Sequence, residues 1–342
     1  MIKILMLGGT GAIGQSILKK LGNNSNYQIY ITTRIERQST INNVHYICGN
    51  ANDISFINTF KDNSFDVLID FMNYRNEILE QNFSKLIRIA RQYIFLSSAR
   101  VYDNSKEVID EDCSLLWHTT SNIKLKNSGT YSVKKAYQEL FVKKNGGDKV
   151  TIIRPYKTYS SSRLQLGQYE IRHWLERIIN GFPIVINENI LDKYTALTDG
   201  IDVAEGMISL IGNKNAFGET YQIVTSEVMT WGEILQLYID VLKRYSFSPV
   251  IYLSNETEEI DRLFESGFQM PYDILFDRKF SSSKILQIKQ IKFNPMREGL
   301  EKAISDYMEN YNELSYVKNE YDKVVDSFIK SNTLKILEDK KC

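Results

Sequence analysis

The chain opens with an apolar strand that runs directly into a glycine turn and a helix. Met1-Ile2-Lys3-Ile4-Leu5-Met6-Leu7 leads to Gly8-Gly9-Thr10-Gly11-Ala12-Ile13-Gly14, after which Ile17, Leu18 and Leu21 recur at helical spacing. No other stretch constrains the fold as much. A strand and a helix joined by so short a link pack as the first half of a βαβ unit. The turn fits G-x-G-x-x-G through Gly9, Gly11 and Gly14, and G-x-x-G-x-x-G through Gly8, Gly11 and Gly14. Glycines remove Cβ where backbone turns sharply or must approach a pyrophosphate. The helix that follows turns its free N–H groups and positive dipole end toward such an anion. A glycine triplet alone is also compatible with an ordinary tight turn. Between this strand and this helix it reads as a nucleotide site lined by Gly8, Gly9, Thr10, Gly11, Ala12, Ile13 and Gly14.

Strand and helix keep alternating through the first half. Further strands are predicted at Tyr27–Thr32, Val44–Cys48, Phe65–Asp70, Gln92–Ser97 and Lys149–Ile153, with a helix from about Glu77 to Arg91. Short, almost continuously apolar strands between helices predict an α/β fold, a doubly wound parallel Rossmann sheet covered on both faces. Right-handed crossovers then put ligands at the carboxyl ends of the strands. The expected organisation is a Rossmann domain over residues 1–160 and a smaller, mainly substrate-binding α/β subdomain over 161–315. A segment near 194–225 is expected to return to the Rossmann layer, and a helical tail to occupy 316–342. In the tail, Val317, Tyr321, Val324 and Phe328 keep helical spacing. That face must bury against its own subunit or across a dimer interface.

Composition excludes whole classes. Of 342 residues, 42 are Lys or Arg and 42 Asp or Glu, so no basic field gathers nucleic acid or an anionic membrane. Cys48, Cys113 and Cys342 have no paired spacing, which argues for a reducing compartment. His45, His118 and His173 form no metal-ligand pattern, so no metal is expected. No apolar run approaches the ~20 residues of a membrane span. With its first strand at residue 2 and no signal peptide, the protein is expected to be cytoplasmic.

The end of the second strand bears on which dinucleotide binds. An NAD site usually places Asp or Glu there to hold the ribose 2′-OH. Here the stretch reads Thr32-Thr33-Arg34, with no carboxylate until Glu36. A guanidinium suits a 2′-phosphate. Thr33 and Arg34 therefore favour NADP(H), NAD(H) remaining possible and a solvated surface role for Arg34 the alternative. The other strand ends contribute Asn50 and Ala51, where an adenine would be edged, together with Phe71, Met72, Pro155 and Tyr156.

The chemistry points to the fifth strand and the next long helix. Ser97-Ser98-Ala99-Arg100-Val101-Tyr102 ends the strand, and Tyr131-Ser132-Val133-Lys134-Lys135 begins the helix. Four positions apart, Tyr131 and Lys135 share one helix face. An ammonium near a phenol lowers the phenol pKa, which equips Tyr131 as an acid or base. Ser98 is placed to hold the reacting oxygen. A lone Y-x-x-x-K usually marks a helix surface. After a glycine-fingerprinted sheet and a serine pair it reads as a catalytic Ser98, Tyr131 and Lys135.

These residues resemble the extended short-chain dehydrogenase/reductases, the epimerase/dehydratase group acting on nucleotide-linked sugars. The resemblance runs to about residue 315. Gly8, Gly11 and Gly14 match the glycine motif, and Ser97–Tyr102 resembles S-S-x-x-V-Y. Tyr131 and Lys135 match Y-x-x-x-K, and Glu139 a following acidic position. Glu111-Asp112-Cys113-Ser114 resembles E-D-x-P, Arg154–Tyr159 resembles R-P-x-N-x-Y-G, and Ser283-Lys284 through Glu298-Gly299-Leu300 resembles the C-terminal motifs. The resemblance implies hydride transfer at a sugar carbon, most naturally C4, with a nucleotide sugar as partner and a homodimer as assembly.

The departures narrow this. Dehydratases of the group carry Thr-Asp-Glu or a relative at the serine position, whereas Ser98-Ala99-Arg100 brings no carboxylate. Lys157 stands where the motif has Asn, and Arg163 follows in place of Y-G-P-x. Lys157 and Arg163 either clamp a diphosphate or are solvated loop charges. Arg100, Trp174 and Tyr194 complete the expected substrate contacts, core packing being the commoner fate of such aromatics. An NADP-type site favours a keto-sugar reductase, with a nucleotide-sugar epimerase that retains its cofactor as the alternative. A non-catalytic RNA-associated or NADP-sensing relative is disfavoured by zero net charge and the intact Ser98, Tyr131 and Lys135.

Overall fold

The computed structural model describes residues 1–263, 268–311 and 316–337. Seven strands form the central sheet: β1 (Ile2–Leu7), β2 (Tyr27–Thr33), β3 (Val44–Cys48), β4 (Phe65–Asp70), β5 (Ala90–Leu96), β6 (Val150–Pro155) and β7 (Thr220–Ile223). Their order is β7-β6-β5-β4-β1-β2-β3 and every pairing is parallel. The order reverses at β1, so a crevice opens above its carboxyl end. The sheet is a Rossmann-type doubly wound fold, as the alternation predicts. The strand that joins at the β6 edge, β7, lies within the segment expected to return to this layer.

Local chemistry explains the elements. Ile4, Leu5, Met6 and Leu7 are fully buried because helices cover both faces of β1. Burial of each such side chain contributes roughly 1.5–3 kcal/mol. Helix α1 (Ala12–Leu21) turns Ile13, Ile17, Leu18 and Leu21 toward one face. Helices α2 (Asn76–Ile89) and α3 (Tyr131–Gly146) cover the other. The helix expected to reach Arg91 stops at Ile89, because the chain extends at Ala90 and enters β5 at once. Gln92, fully buried there, joins β5 to β6 and to a neighbouring helix end by donating to Thr151 Oγ1 and to the Leu210 carbonyl.

A second core gathers much of the chain after Tyr159. It holds Trp174 of α4 (Ile171–Ile179), Trp231 and Tyr238 of α6 (Trp231–Arg244), and Leu300 of α7 (Met296–Asn310). Helix α5 (Gly200–Leu210) packs on α1 and so belongs to the Rossmann side. Around the second core Ile251–Ser254 pairs in parallel with Ile184–Asn187.

The tail helix α8 (Glu320–Ser331) docks on the same chain. Fully buried Arg177 donates to Asp322 Oδ1 at 2.8 Å and to Asp326 Oδ1 at 2.6 Å. The buried apolar residues of this helix are Val325 and Phe328, whereas Val317 and Val324 are exposed. The spacing expected from sequence therefore names the wrong valine, because the Arg177 pair fixes the rotation of the helix. The limit at 315 and Cys342 lie outside the described residues. Among the described residues no helix is long and apolar enough to cross a membrane, and no group of His, Cys, Asp and Glu is set to hold a metal.

Candidate active site

The glycine turn has three different reasons for its glycines. Gly8 has φ +70°, a left-handed conformation that disfavours a side chain. A Cβ on Gly14 would lie 2.1 Å from the Gly9 carbonyl oxygen, so this glycine closes the turn against the helix. A Cβ on Gly11 would meet nothing within 4 Å. Gly11 is the α1 N-cap and supplies no side-chain cap, so no cap side chain takes up the first N–H groups of the helix. That cradle fits a dinucleotide pyrophosphate.

The strand ends gather around this turn. Met72 Sδ lies 2.8 Å from the place of a Cβ on Gly8, and the Gly8 N–H donates to Thr32 Oγ1 at 3.1 Å. The Gly49 N–H donates to the Thr33 carbonyl at 2.8 Å, which brings Asn50 and Ala51 beside the end of β2. Arg34 is exposed there. Phe71 is anchored by its N–H on the Leu7 carbonyl at 3.0 Å. Buried Asp70 closes β4, accepting from Tyr93 Oη at 2.6 Å and from the Met72 N–H at 2.9 Å.

The catalytic candidates come from the start of α3 and from the turn that follows β5. Tyr131 is its first residue, and Ser98 caps the turn Ala99–Val101, its Oγ accepting from the Arg100 N–H at 3.2 Å. Burial raises the Tyr131 phenol above its ordinary pKa, opposed by the fields of Arg100 and Arg163 and by a hydrogen bond with Ser98. Lys135 is turned elsewhere. Its ammonium donates to the Leu96 carbonyl at 2.8 Å and the Met72 carbonyl at 3.2 Å, and sits 4.6 Å from the Phe95 ring centre. The expectation that Lys135 depresses the phenol is therefore corrected for the protein without cofactor. The two carbonyls draw the ammonium to the β4–β5 side, and the cations acting on Tyr131 are Arg100 and Arg163. Burial lowers Lys135 itself to about 8, against the opposing field of Asp70.

Four of the sequence motifs meet in a buried cluster away from that crevice. Arg154 Nη2 donates to Glu139 Oε2 at 2.6 Å and its Nε to Oε1 at 3.0 Å. Arg154 Nη1 donates to Tyr102 Oη at 2.9 Å, and Glu111 Oε1 accepts from the Gln222 N–H at 2.7 Å. The carboxylate of Glu139 holds the Arg154 guanidinium above its ordinary pKa against burial, which works the other way. These residues tie α3, β6 and β7 together. A similar fit joins two distant motifs, since a Cβ on Gly299 would lie 1.8 Å from the Tyr159 hydroxyl.

The expected substrate residues divide. Arg100 lies with its guanidinium carbon 5.3 Å from the Tyr131 ring centre. Lys157 is buried, neither solvated nor on a loop surface, and donates to the Gly167 carbonyl at 3.2 Å. Arg163 pairs with Glu170 at 3.0 Å, so it is committed within the chain. Trp174 is corrected to core. It is 1% exposed, stacks on Tyr238 at 4.5 Å and donates its indole N–H to the Leu164 carbonyl. Tyr194 is corrected to a surface position, 38% exposed with Lys279 over its ring at 4.5 Å. Pro155 ends β6, and the buried Tyr156 donates its hydroxyl to Asp273 Oδ1 at 2.9 Å while its carbonyl accepts from Thr158 Oγ1 at 3.0 Å.

Sequence reading missed Asp273. It comes from the short turn Met270–Ile274, is buried, and meets Arg278, Arg100 and Lys157 at 3.2, 3.4 and 3.7 Å. Burial alone would raise its carboxyl. The fields of Lys157, then Arg278 and Arg100, with the Tyr156 hydrogen bond, outweigh burial and hold it below its ordinary value. Its only signal in the sequence is indirect: two cations at Arg100 and Lys157 need a counter-ion.

The seven-stranded parallel sheet, with its glycine turn between β1 and α1, defines a Rossmann-type protein. The chain belongs to the NAD-dependent epimerase/dehydratase family, whose model matches residues 4–223. Solved structures agree in fold. A UDP-N-acetylglucosamine 4-epimerase from Methanobrevibacter ruminantium M1, in complex with UDP-N-acetylmuramic acid, superposes with TM-score 0.68 at 16% identity, covering 91% of this chain and 99% of that one. A UDP-glucuronic acid 4-epimerase from Bacillus cereus, in complex with UDP-glucuronic acid and NAD, gives 0.67 at 16% identity, covering 90% and 99%. A dTDP-glucose 4,6-dehydratase from Bacillus anthracis, in complex with NAD, gives 0.68 at 15%, covering 91% and 97%. No curated protein matches the sequence.

Proposed function

We propose that the chain is a nicotinamide-dinucleotide-dependent oxidoreductase acting on a nucleotide-linked sugar, with hydride transfer at C4, and that it reduces a keto-sugar. The observation that carries this reading is Tyr131 beside Ser98 in the crevice, with its phenol held protonated near neutral pH. A protonated phenol is the form that gives a proton to a carbonyl oxygen receiving hydride. Ser98 holds that oxygen, and Lys135, whose ammonium donates to the Met72 and Leu96 carbonyls in the free protein, turns to the cofactor ribose when the dinucleotide binds. When bound, the dinucleotide supplies or accepts the hydride. Gly8–Gly14 carry its pyrophosphate, Asn50 and Ala51 its adenosine end, and Phe71, Met72, Pro155 and Tyr156 its nicotinamide side. Arg34 at an end of β2 without an adjoining carboxylate favours NADP(H). Dehydration is disfavoured, because Asp273, the carboxylate that reaches Arg100, is held ionised and donates no proton.

A second reading has its own support. The similar structures include UDP-sugar 4-epimerases, and an epimerase uses the same residues for removal and return of one hydride. One sample of the protein is to be denatured to look for released cofactor, and a second, native sample given a 4-keto sugar nucleotide with NADPH. Stoichiometric loss of reduced-nicotinamide absorbance supports the reductase. Retained cofactor, no net consumption and interconversion of two saturated nucleotide sugars would overturn it in favour of the epimerase.

A further inference from the structure

The crevice holds more positive charge than its own residues balance. Asp273 Oδ1 is occupied, accepting from Tyr156 at 2.9 Å and lying 3.2 Å from Arg278 Nε. Its Oδ2 is faced by Arg100 Nε at 3.4 Å and Lys157 Nζ at 3.7 Å. Neither meets hydrogen-bond geometry, and both Arg100 Nε and Asp273 Oδ2 are buried atoms without a hydrogen-bond partner among the described residues. The neighbouring Arg163 and Glu170 neutralise each other. Three cations thus share one carboxylate, and Arg278 already balances it. A buried charge without a partner is costly. Burial accordingly lowers Lys157 to about 8 in the free protein, despite the field of Asp273.

The excess lies next to the reacting carbon. Arg100 packs on the ring of Tyr131, whose hydroxyl must touch the C4 oxygen in the proposed reaction. A substituent on C5 adjoins C4, whereas the diphosphate hangs from C1 across the sugar ring. We propose that Arg100 and Lys157 form a receptor for a carboxylate carried by the sugar itself, so that the substrate is a nucleotide-linked acidic sugar. On binding, that carboxylate takes the planar fork of Arg100 and the ammonium of Lys157, leaving Asp273 to Arg278 and Tyr156. The inference rests on the reading of this crevice as a nucleotide-sugar site and deepens it.

The test is calorimetric titration of the cofactor-loaded full chain with matched pairs: UDP-glucuronate against UDP-glucose, and GDP-mannuronate against GDP-mannose. UDP and GDP serve as parents. In the series that binds, the acidic sugar is expected to bind about tenfold to a hundredfold tighter than its neutral partner, the range for a charge-assisted contact. Arg100→Met and Lys157→Asn should each reduce that preference toward parity by weakening the acidic sugar more than the neutral sugar or the free nucleotide. Lys157→Asn installs the residue found in the family motif and provides an independent arm should Arg100→Met not fold. Equal affinity of acidic and neutral sugars in the wild type would overturn the inference and leave the proposed function standing. Equal weakening of acidic sugar, neutral sugar and free nucleotide in the variants would assign the pair to the diphosphate instead. No binding in either series would remove the nucleotide-sugar reading as well.

Discussion

Two buried charge clusters, one around Arg154 and one around Asp273, differ in balance. Around Arg154 the ledger of donors and acceptors closes: Glu139 takes two of its nitrogens and Tyr102 a third. Around Asp273 it does not: Arg100 and Lys157 face its Oδ2 as ion pairs at 3.4 and 3.7 Å without hydrogen-bond geometry, and among the described residues Lys157 donates only to the Gly167 carbonyl. A buried ion cluster with every partner in place ties elements together and has nothing left for a ligand. One left short of an anion has a function in what it recruits. Both clusters contain residues that the sequence singles out, and only the partner count tells scaffold from binding site.

Substitutions should separate the two. The largest effect is expected at Tyr131, on the unbalanced side. Tyr131→Phe should lower kcat by about 10² to 10⁴, with cofactor affinity and melting temperature almost unchanged, as steady-state kinetics with calorimetry would show. Glu139→Gln should do the reverse. It leaves Arg154 buried without its carboxylate, costing about 3–5 kcal/mol in urea unfolding, and the loss should be the same with or without ligand. Arg34→Ala with Thr33→Asp should shift preference from NADP(H) toward NAD(H) by roughly tenfold to a hundredfold. Equal affinity of the wild type for both cofactors would leave Arg34 a surface residue. With Lys135 at about 8, its ammonium is charged below that pH and neutral above it. The value of kcat/KM for reduction should therefore fall as pH rises through about 8, and Lys157→Asn should leave that limb in place. The smallest effect is on stability at Lys157. Lys157→Asn removes one hydrogen bond but also relieves a buried charge, so unfolding free energy should change by less than about 1.5 kcal/mol. A loss as large as that of Glu139→Gln would make the second cluster scaffold too.

Most of the Rossmann half is legible in the sequence because its signals are local. The glycine turn, the apolar strands and Tyr131 with Lys135 each lie within a few residues of one another. The edge strand β7 is less so, because Thr220–Ile223 is short and gains its identity by pairing with β6. The substrate side is read least well. Trp174 and Tyr194 carry the right chemistry, but the core claims one and the surface the other, a decision that burial makes and spacing does not. Asp273 pairs with Lys157 and Arg100 from far along the chain, and its stretch has no motif. Glu139, Arg154 and Tyr102 are recognisable as motif residues, yet their common task appears only when three elements bring them together. Lys135 shows a further limit: sequence places it one turn from Tyr131 but does not reveal that two backbone carbonyls hold its ammonium.

The most direct test follows the hydride. The protein is to be incubated with a 4-keto sugar nucleotide and NADPH dideuterated at nicotinamide C4, and the sugar product analysed by mass spectrometry and NMR. One deuterium at sugar C4, formed by the wild type and lost in Tyr131→Phe, is the result expected if this crevice carries out the reduction. Formation of the product without deuterium, or undiminished labelling by Tyr131→Phe, would contradict it.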